Sequence, residues 1–241
     1  MFIEFLGAPG CGKSTICQAL AKNDRDYLDV SQLISMPVSK PSLSKFYIKQ
    51  LILYILKHPQ PERIINAEIR YCLNRASYAS RCIDLLISSS CSPGEKMRRV
   101  REFSKYIAVV QAVQEHSSVN EKSKVLFDEG SMKVLGPSLL DVSSGLSNLG
   151  NLILSDMSYI LVDSPSEIIF ERYIGRGRQV SAFRDLDSKE LKAKIERSQS
   201  SWVRVADFIK AQGGRVVVLD GTEPVSKNVQ IIKHELGGIR H

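Results

Sequence analysis

Apolar residues recur along this chain in two rhythms. Short, nearly continuous apolar runs stand at 2–6 (FIEFL), 124–128 (KVLFD), 159–163 (YILVD) and 215–220 (RVVVLD), with a weaker one at 27–30 (YLDV). Runs of this length predict strands, and the lack of alternation suits strands covered by helices on both faces. Three of the runs end in an aspartate. Elsewhere apolar positions return at helical spacing, most clearly Met97, Val100, Phe103, Ile107 and Val110. Helices are predicted from Lys13 to about Lys22 and near 42–57, 62–90 and 94–115, with no strand between about 42 and 118. Asp187 with Glu190 forms a capping pattern before a helix reaching about Gln212, where Gly213-Gly214 stops it. Ser164, Pro165 and Glu167 read as N-cap, N1 and N3 of a further helix. Strands alternating with helices predict an α/β fold around a parallel sheet. The expected organisation is one domain over 1–241 with a helical insertion at 40–120, where the acceptor site is expected to be built.

Composition narrows the class without changing that outline. The chain has 241 residues, 43% hydrophobic and 24% charged. That excludes a disordered tail, a collagen-like rod and a disulfide-held miniprotein. The most apolar stretch, 51–56 (LILYIL), is flanked by Lys49-Gln50 and Lys57, too short for a span of about 20 residues. The first residues carry neither a basic nor a long apolar segment of the secretory kind, so the expected compartment is the cytoplasm. Cys11, Cys17, Cys72, Cys82 and Cys91 are odd in number and not closely paired, which predicts reduced, mostly buried thiols. The four histidines show no ligand spacing. A formal charge of +7 favours an anionic partner.

The strongest chemical signal follows the first strand. Gly7-Ala8-Pro9-Gly10-Cys11-Gly12-Lys13-Ser14 matches G-x-x-x-x-G-K-[ST], between an apolar strand and a helix. A polyphosphate needs many donors at short range. Glycines let backbone N–H groups point inward, and the following helix presents its positive end. Lys13 has the reach for the β- and γ-phosphates, Ser14 the oxygen for Mg²⁺, and Thr15 adds a second hydroxyl. The other half of a metal site is expected from an acid ending a neighbouring strand. Asp128 is the preferred candidate, with Glu129 beside it to orient or deprotonate an acceptor. Asp163 is the alternative and is read as structural.

GAPGCGKST, FDEG, DSPSEIIFERYIGRGR and DGTEP follow one another in the order seen in P-loop nucleoside and nucleotide kinases, the group of adenylate, thymidylate and deoxynucleoside kinases. The resemblance covers about 1–22 and 124–236. It implies a three-layer P-loop fold with a five-stranded parallel sheet, ATP with Mg²⁺, and phosphoryl transfer. In such kinases a lid carries arginines onto the nucleotide and the transferring phosphoryl group. The lid corresponds here to 172–187, with Arg172 and Arg176 matching best and Arg178 and Arg184 following. The loop Asp220-Gly221-Thr222-Glu223-Pro224 resembles the one that cups adenine, which makes Thr222 and Pro224 nucleotide-contact candidates. The chain departs from the group in two ways. Where an arginine follows the strand-3 acid in many relatives, this chain has Ser131-Met132-Lys133, and its helical middle matches no family pattern.

That middle carries Lys96, Arg98, Arg99 and Arg101 together and Arg63, Arg70 and Arg75 earlier, read as solvated faces rather than an acceptor site. Phe46 to Leu56 is read as core. The leading expectation is a kinase for a small-molecule acceptor, either a nucleoside or nucleotide or another alcohol such as a sugar. The alternatives are a polynucleotide-end kinase, with nucleic acid open but not favoured, and a nucleotide-responsive binding module with little turnover. No membrane partner is expected, and a homodimer is left open.

Overall fold

The computed structural model describes residues 1–30, 76–114, 122–142, 157–175 and 186–237. Five strands form one sheet: β1 (Phe2–Leu6), β2 (Tyr27–Asp29), β3 (Lys124–Phe127), β4 (Met157–Asp163) and β5 (Arg215–Asp220), in the order β2-β3-β1-β4-β5. It is the five-stranded parallel sheet that the sequence leads one to expect, with β1–β4 and β4–β5 paired in parallel. β1 is buried at every position and β4 at all but its last, as expected for central strands covered on both faces. β4 begins at Met157, earlier than the apolar run suggested, and β3 ends at Phe127, which leaves Asp128 just beyond the ladder.

The described helices are α1 (Lys13–Asn23), α2 (Ala76–Ser88), α3 (Pro93–Gln114), α4 (Met132–Val142), α5 (Ser166–Gly175), α6 (Ser188–Ala211) and α7 (Val225–Gly237). The predicted helix at 42–57 and the stretch 62–75 lie outside the described residues, as do Arg63, Arg70 and Arg75. The helix α4 has no counterpart in the sequence reading, because Gly136 and Pro137 interrupt its propensity. It forms because Met132, Leu135 and Leu139 are all essentially buried and return at helical spacing.

The chain divides into two compact units. The first comprises Met1 and the described parts of 26–125 and 130–152. In it α2, α3 and α4 pack on one another around Leu85, Leu86, Phe103, Ile107 and Leu135. Two arginines of the basic run on α3 are paired with carboxylates within this unit. Arg98 bonds both Glu95 and Glu102, and Arg99 bonds Glu95 and the buried Ser138 hydroxyl. The guanidinium of Arg98, then that of Arg99, holds the Glu95 carboxyl down to about 2. This cluster is an internally paired helix face.

The second unit comprises 2–25, 126–129 and the described parts of 153–241 and holds β1, β4, β5, α1, α5, α6 and α7. β1 pairs β4 from Phe2↔Met157 to Leu6↔Leu161, and β4 pairs β5 up to Asp163↔Asp220. The carboxyl ends of these strands are therefore level, and three loops leave the sheet side by side. The Asp187 capping box on α6 is complete, with the Glu190 N–H donating to Asp187 at 2.8 Å and the Asp187 N–H to Glu190 at 3.2 Å. At the other end Gly213 takes φ 78°, and the N–H groups of Gly213 and Gly214 close on Lys210 and Ile209 in a Schellman turn. Cys11, Cys17 and Cys82 are buried and Cys91 half-buried, and burial pushes the Cys82 thiol up to about 12.

Asp187→Ala removes the side-chain acceptor that caps the Glu190 N–H. It is expected to cost about 1 kcal/mol of stability, read as a lowered urea midpoint with an unchanged slope.

Candidate functional site

The site is built on the level strand ends of the second unit. In the order β2-β3-β1-β4-β5, the strand following β1 lies on one side and the strand following β3 on the other. The loops leaving these two neighbours therefore diverge, and the crevice outside their carboxyl ends is where open α/β sheets bind ligands.

The loop 7–12 fills that position. Gly7, Gly10 and Gly12 take φ of 138°, 96° and 112°, values that side-chain-bearing residues rarely adopt. Space also demands glycine at Gly7, where a Cβ would lie 2.6 Å from the Val162 carbonyl oxygen and 2.8 Å from Cys11 Sγ. α1 begins at Lys13 with Gly12 as a left-handed N-cap, and no side chain caps it. Its first-turn N–H groups are thus open to an anion. Lys13 is half-buried and curls over the loop, Nζ donating to the carbonyls of Gly7 at 2.7 Å and Ala8 at 3.0 Å. Pro9 and Gly10 are half-buried, and Ser14 and Thr15 are exposed at the start of α1.

Ser14 Oγ donates to Asp128 Oδ2 at 2.6 Å, joining the end of the phosphate-type loop to the residue just past β3. The other carboxylate oxygen, Asp128 Oδ1, is shielded from solvent and accepts no hydrogen bond among the described residues. An orphaned acceptor of this kind costs about 1–3 kcal/mol. A serine hydroxyl beside a carboxylate with an unused oxygen is a fitting donor set for Mg²⁺. That ion binds through one or two protein oxygens and takes the rest of its shell from phosphates and water. Among the described residues no group of three His, Cys, Asp or Glu gathers to hold a metal by itself. Glu129 is exposed beside Asp128.

Asp163, the alternative acid, accepts from Gln199 Nε2 at 2.7 Å and sits in a structural junction. Ser164 corrects the sequence reading. α5 starts at Ser166, and its first backbone bond, from the Ile169 N–H, ends on Pro165. Ser164 is not its cap; the side chain is 2% exposed and donates to the Cys11 carbonyl at 3.2 Å. The physical reason is the close approach of the loop after β1, whose Cys11 carbonyl takes the Ser164 hydroxyl.

Arg172 lies on α5 one turn after Ile169, whose methyl borders Gly10. Its Nη1 donates to the Cys11 carbonyl at 3.3 Å and its Nη2 to the Gly221 carbonyl at 2.9 Å. In the loop after β5, Asp220 accepts both the Thr222 hydroxyl at 2.6 Å and the Thr222 N–H at 2.8 Å. The Thr222 hydroxyl first, then its N–H, holds the Asp220 carboxyl below the usual carboxylate range. Pro224 is exposed, and its carbonyl receives the Lys227 and Asn228 N–H groups at the start of α7. Arg176, Arg178 and Arg184 lie outside the described residues.

Thus the structure brings together Gly7 through Thr15, Asp128 and Arg172. Sequence reading missed Ser164 as a loop anchor and Gln199, and it gave Gly221 no role beyond membership of the 220–224 loop. Only Gly221 left a signal, as a glycine directly after a strand-ending aspartate.

No protein-family model and no curated protein matches the chain. Among solved structures it is similar to deoxyadenosine kinase from M. mycoides with bound dCTP, at 15% identity and TM-score 0.46, covering 99% of this chain and 100% of that one. It is also similar to shikimate kinase from Bacteroides thetaiotaomicron, at 12% identity and TM-score 0.48, covering 98% of each chain.

Gly221→Ala is expected to cost roughly 1–3 kcal/mol. Two of the three atoms its Cβ would meet, at 2.6 and 3.0 Å, are backbone oxygens. Gly94→Ala, with nothing within 4 Å of its Cβ, serves as the comparison. It should be neutral or slightly stabilising in the same thermal melts.

Proposed function

We propose that this chain is an ATP-dependent phosphotransferase that moves the γ-phosphoryl group to a small-molecule acceptor. The single observation that carries the reading is the Ser14 Oγ to Asp128 Oδ2 contact of 2.6 Å beside an open helix N-terminus. It supports the reading because a hydroxyl and a carboxylate meet at the end of the glycine loop. In this reading the glycine loop and the first N–H groups of α1 grip the phosphates. Lys13 exchanges its two carbonyl partners for phosphate oxygens, a stronger charge-assisted pairing.

Ser14 and Asp128 would hold Mg²⁺, which would neutralise charge on the β- and γ-phosphates. Glu129, exposed beside them, positions the acceptor hydroxyl, and it or Asp128 takes the proton as the acceptor oxygen bonds to phosphorus and the β–γ bridging bond breaks. Such a loose transition state asks for cations and alignment more than for covalent catalysis. Arg176 and Arg184 are proposed from the sequence pattern to supply further positive charge. Thr222 and Pro224 border the nucleoside end. The acceptor class is a nucleoside, a nucleotide or another alcohol.

An acceptor screen with γ-labelled ATP across nucleosides, nucleotides, sugars and oligonucleotides tests the reading. Transfer to a small molecule is the expected result. Label moving only to oligonucleotide ends would make it a polynucleotide kinase, and saturable ATP binding with no transfer would make it a nucleotide-responsive module. Lys13→Ala is expected to reduce transfer by on the order of 10²–10³-fold. Asp128→Asn should lower it comparably and raise the Mg²⁺ concentration needed for half-maximal rate.

A further inference from the structure

We propose that Arg172 and Ser164 are positioning residues that set the direction of the Gly12 N–H by fixing the carbonyl of Cys11. This rests on the nucleotide-site reading above and assigns a role within it. Both donors converge on one oxygen: Ser164 Oγ at 3.2 Å and Arg172 Nη1 at 3.3 Å. A carbonyl oxygen has two lone pairs, so these two donors fill it.

A peptide unit is planar and trans, and the carbonyl of one residue and the N–H of the next point in opposite directions. Pinning the Cys11 carbonyl outward onto α5 and the β4 loop therefore turns the Gly12 N–H toward the opposite, inner side of the bend. That is the side on which a phosphate must find its donors. The glycine that makes this geometry accessible is Gly12 itself, at φ 112°.

The anchor is rigid. Ser164 is 2% exposed, and its own carbonyl is held by Gln199 Nε2. The second arm of Arg172 binds the Gly221 carbonyl at 2.9 Å, and the Gly221 N–H donates to the Asp163 carbonyl. The planar guanidinium fork thus spans the phosphate loop and the loop after β5, a span that a lysine's single ammonium does not reproduce. On this geometry Arg172 acts on a nucleotide through the phosphate loop, not by lying on the base.

Inorganic tripolyphosphate, which has no base or ribose, separates the two roles. Binding of Mg²⁺–tripolyphosphate and of Mg²⁺–ATP would be measured by calorimetry for the wild type, Arg172→Lys, Ser164→Ala and the double variant. Arg172→Lys is expected to weaken both ligands by the same factor, about tenfold. Ser164→Ala, which removes one hydroxyl and is the milder change for folding, should weaken both by a few-fold. The double variant should lose less than the product of the two, because both donors serve one carbonyl.

Arg172→Lys weakening ATP while leaving tripolyphosphate unchanged would place the side chain on the nucleoside and overturn the inference. Lowered melting temperature with unchanged affinities for both ligands would also overturn it, since that is what a purely structural anchor gives. Wild-type protein that binds neither ligand would instead overturn the nucleotide-site reading on which the inference stands.

Discussion

Three backbones crowd around the carbonyl of Cys11, and the rest of the site depends on that approach. Parallel pairing puts Asp163 opposite Asp220 and Leu6 opposite Leu161, so the loops after β1, β4 and β5 emerge at one level. At that level Gly7 faces the Val162 carbonyl and Gly221 faces Cys11 and Ser164, with no room for a Cβ at either position. The tightness is tolerable because the polar groups it buries are paired. The Cys11, Gly221, Asp163 and Ser164 carbonyls all accept hydrogen bonds. Buried backbone polarity left unpaired would cost more than the packing gains.

Charge in this region is arranged in layers. Lys13 and Arg172 are both cationic, yet they approach the loop differently: Lys13 binds the Gly7 and Ala8 carbonyls and Arg172 binds the Cys11 carbonyl. Lys13 is a flexible point charge that can trade carbonyls for phosphate oxygens at small cost. Arg172 bridges two loops with a planar fork, and leaving would break both bonds. On the proposed reading, a mobile cation supported by a fixed one suits a loop that would accept a highly charged ligand and hold its shape. The basic run on α3 is of another kind, since Arg98 and Arg99 are matched by Glu95 and Glu102.

Much of the fold was legible because its signals are local. β1, β5 and the α6 caps follow from runs and end residues that need no knowledge of the rest of the chain. The helix α4 was not legible, since Gly136 and Pro137 argue against it and only burial of Met132, Leu135 and Leu139 compensates. Ser164 misled for a related reason. A serine before Pro-x-Glu has the right chemistry for a cap, but a neighbouring loop claims its hydroxyl.

By itself the sequence determined the bend at 7–14, because every requirement of that bend is met within eight consecutive residues: glycines for positive φ, an open helix start, a long cation and a hydroxyl. What tertiary structure alone decided is which distant groups meet it. Ser14 finds Asp128 114 positions away, and the Cys11 carbonyl is met by groups 153 and 161 positions away. Such meetings are set by strand order and register, which periodicity along the chain does not encode. Period reveals which side of an element is buried, whereas the partner on that side is chosen by how the sheet assembles.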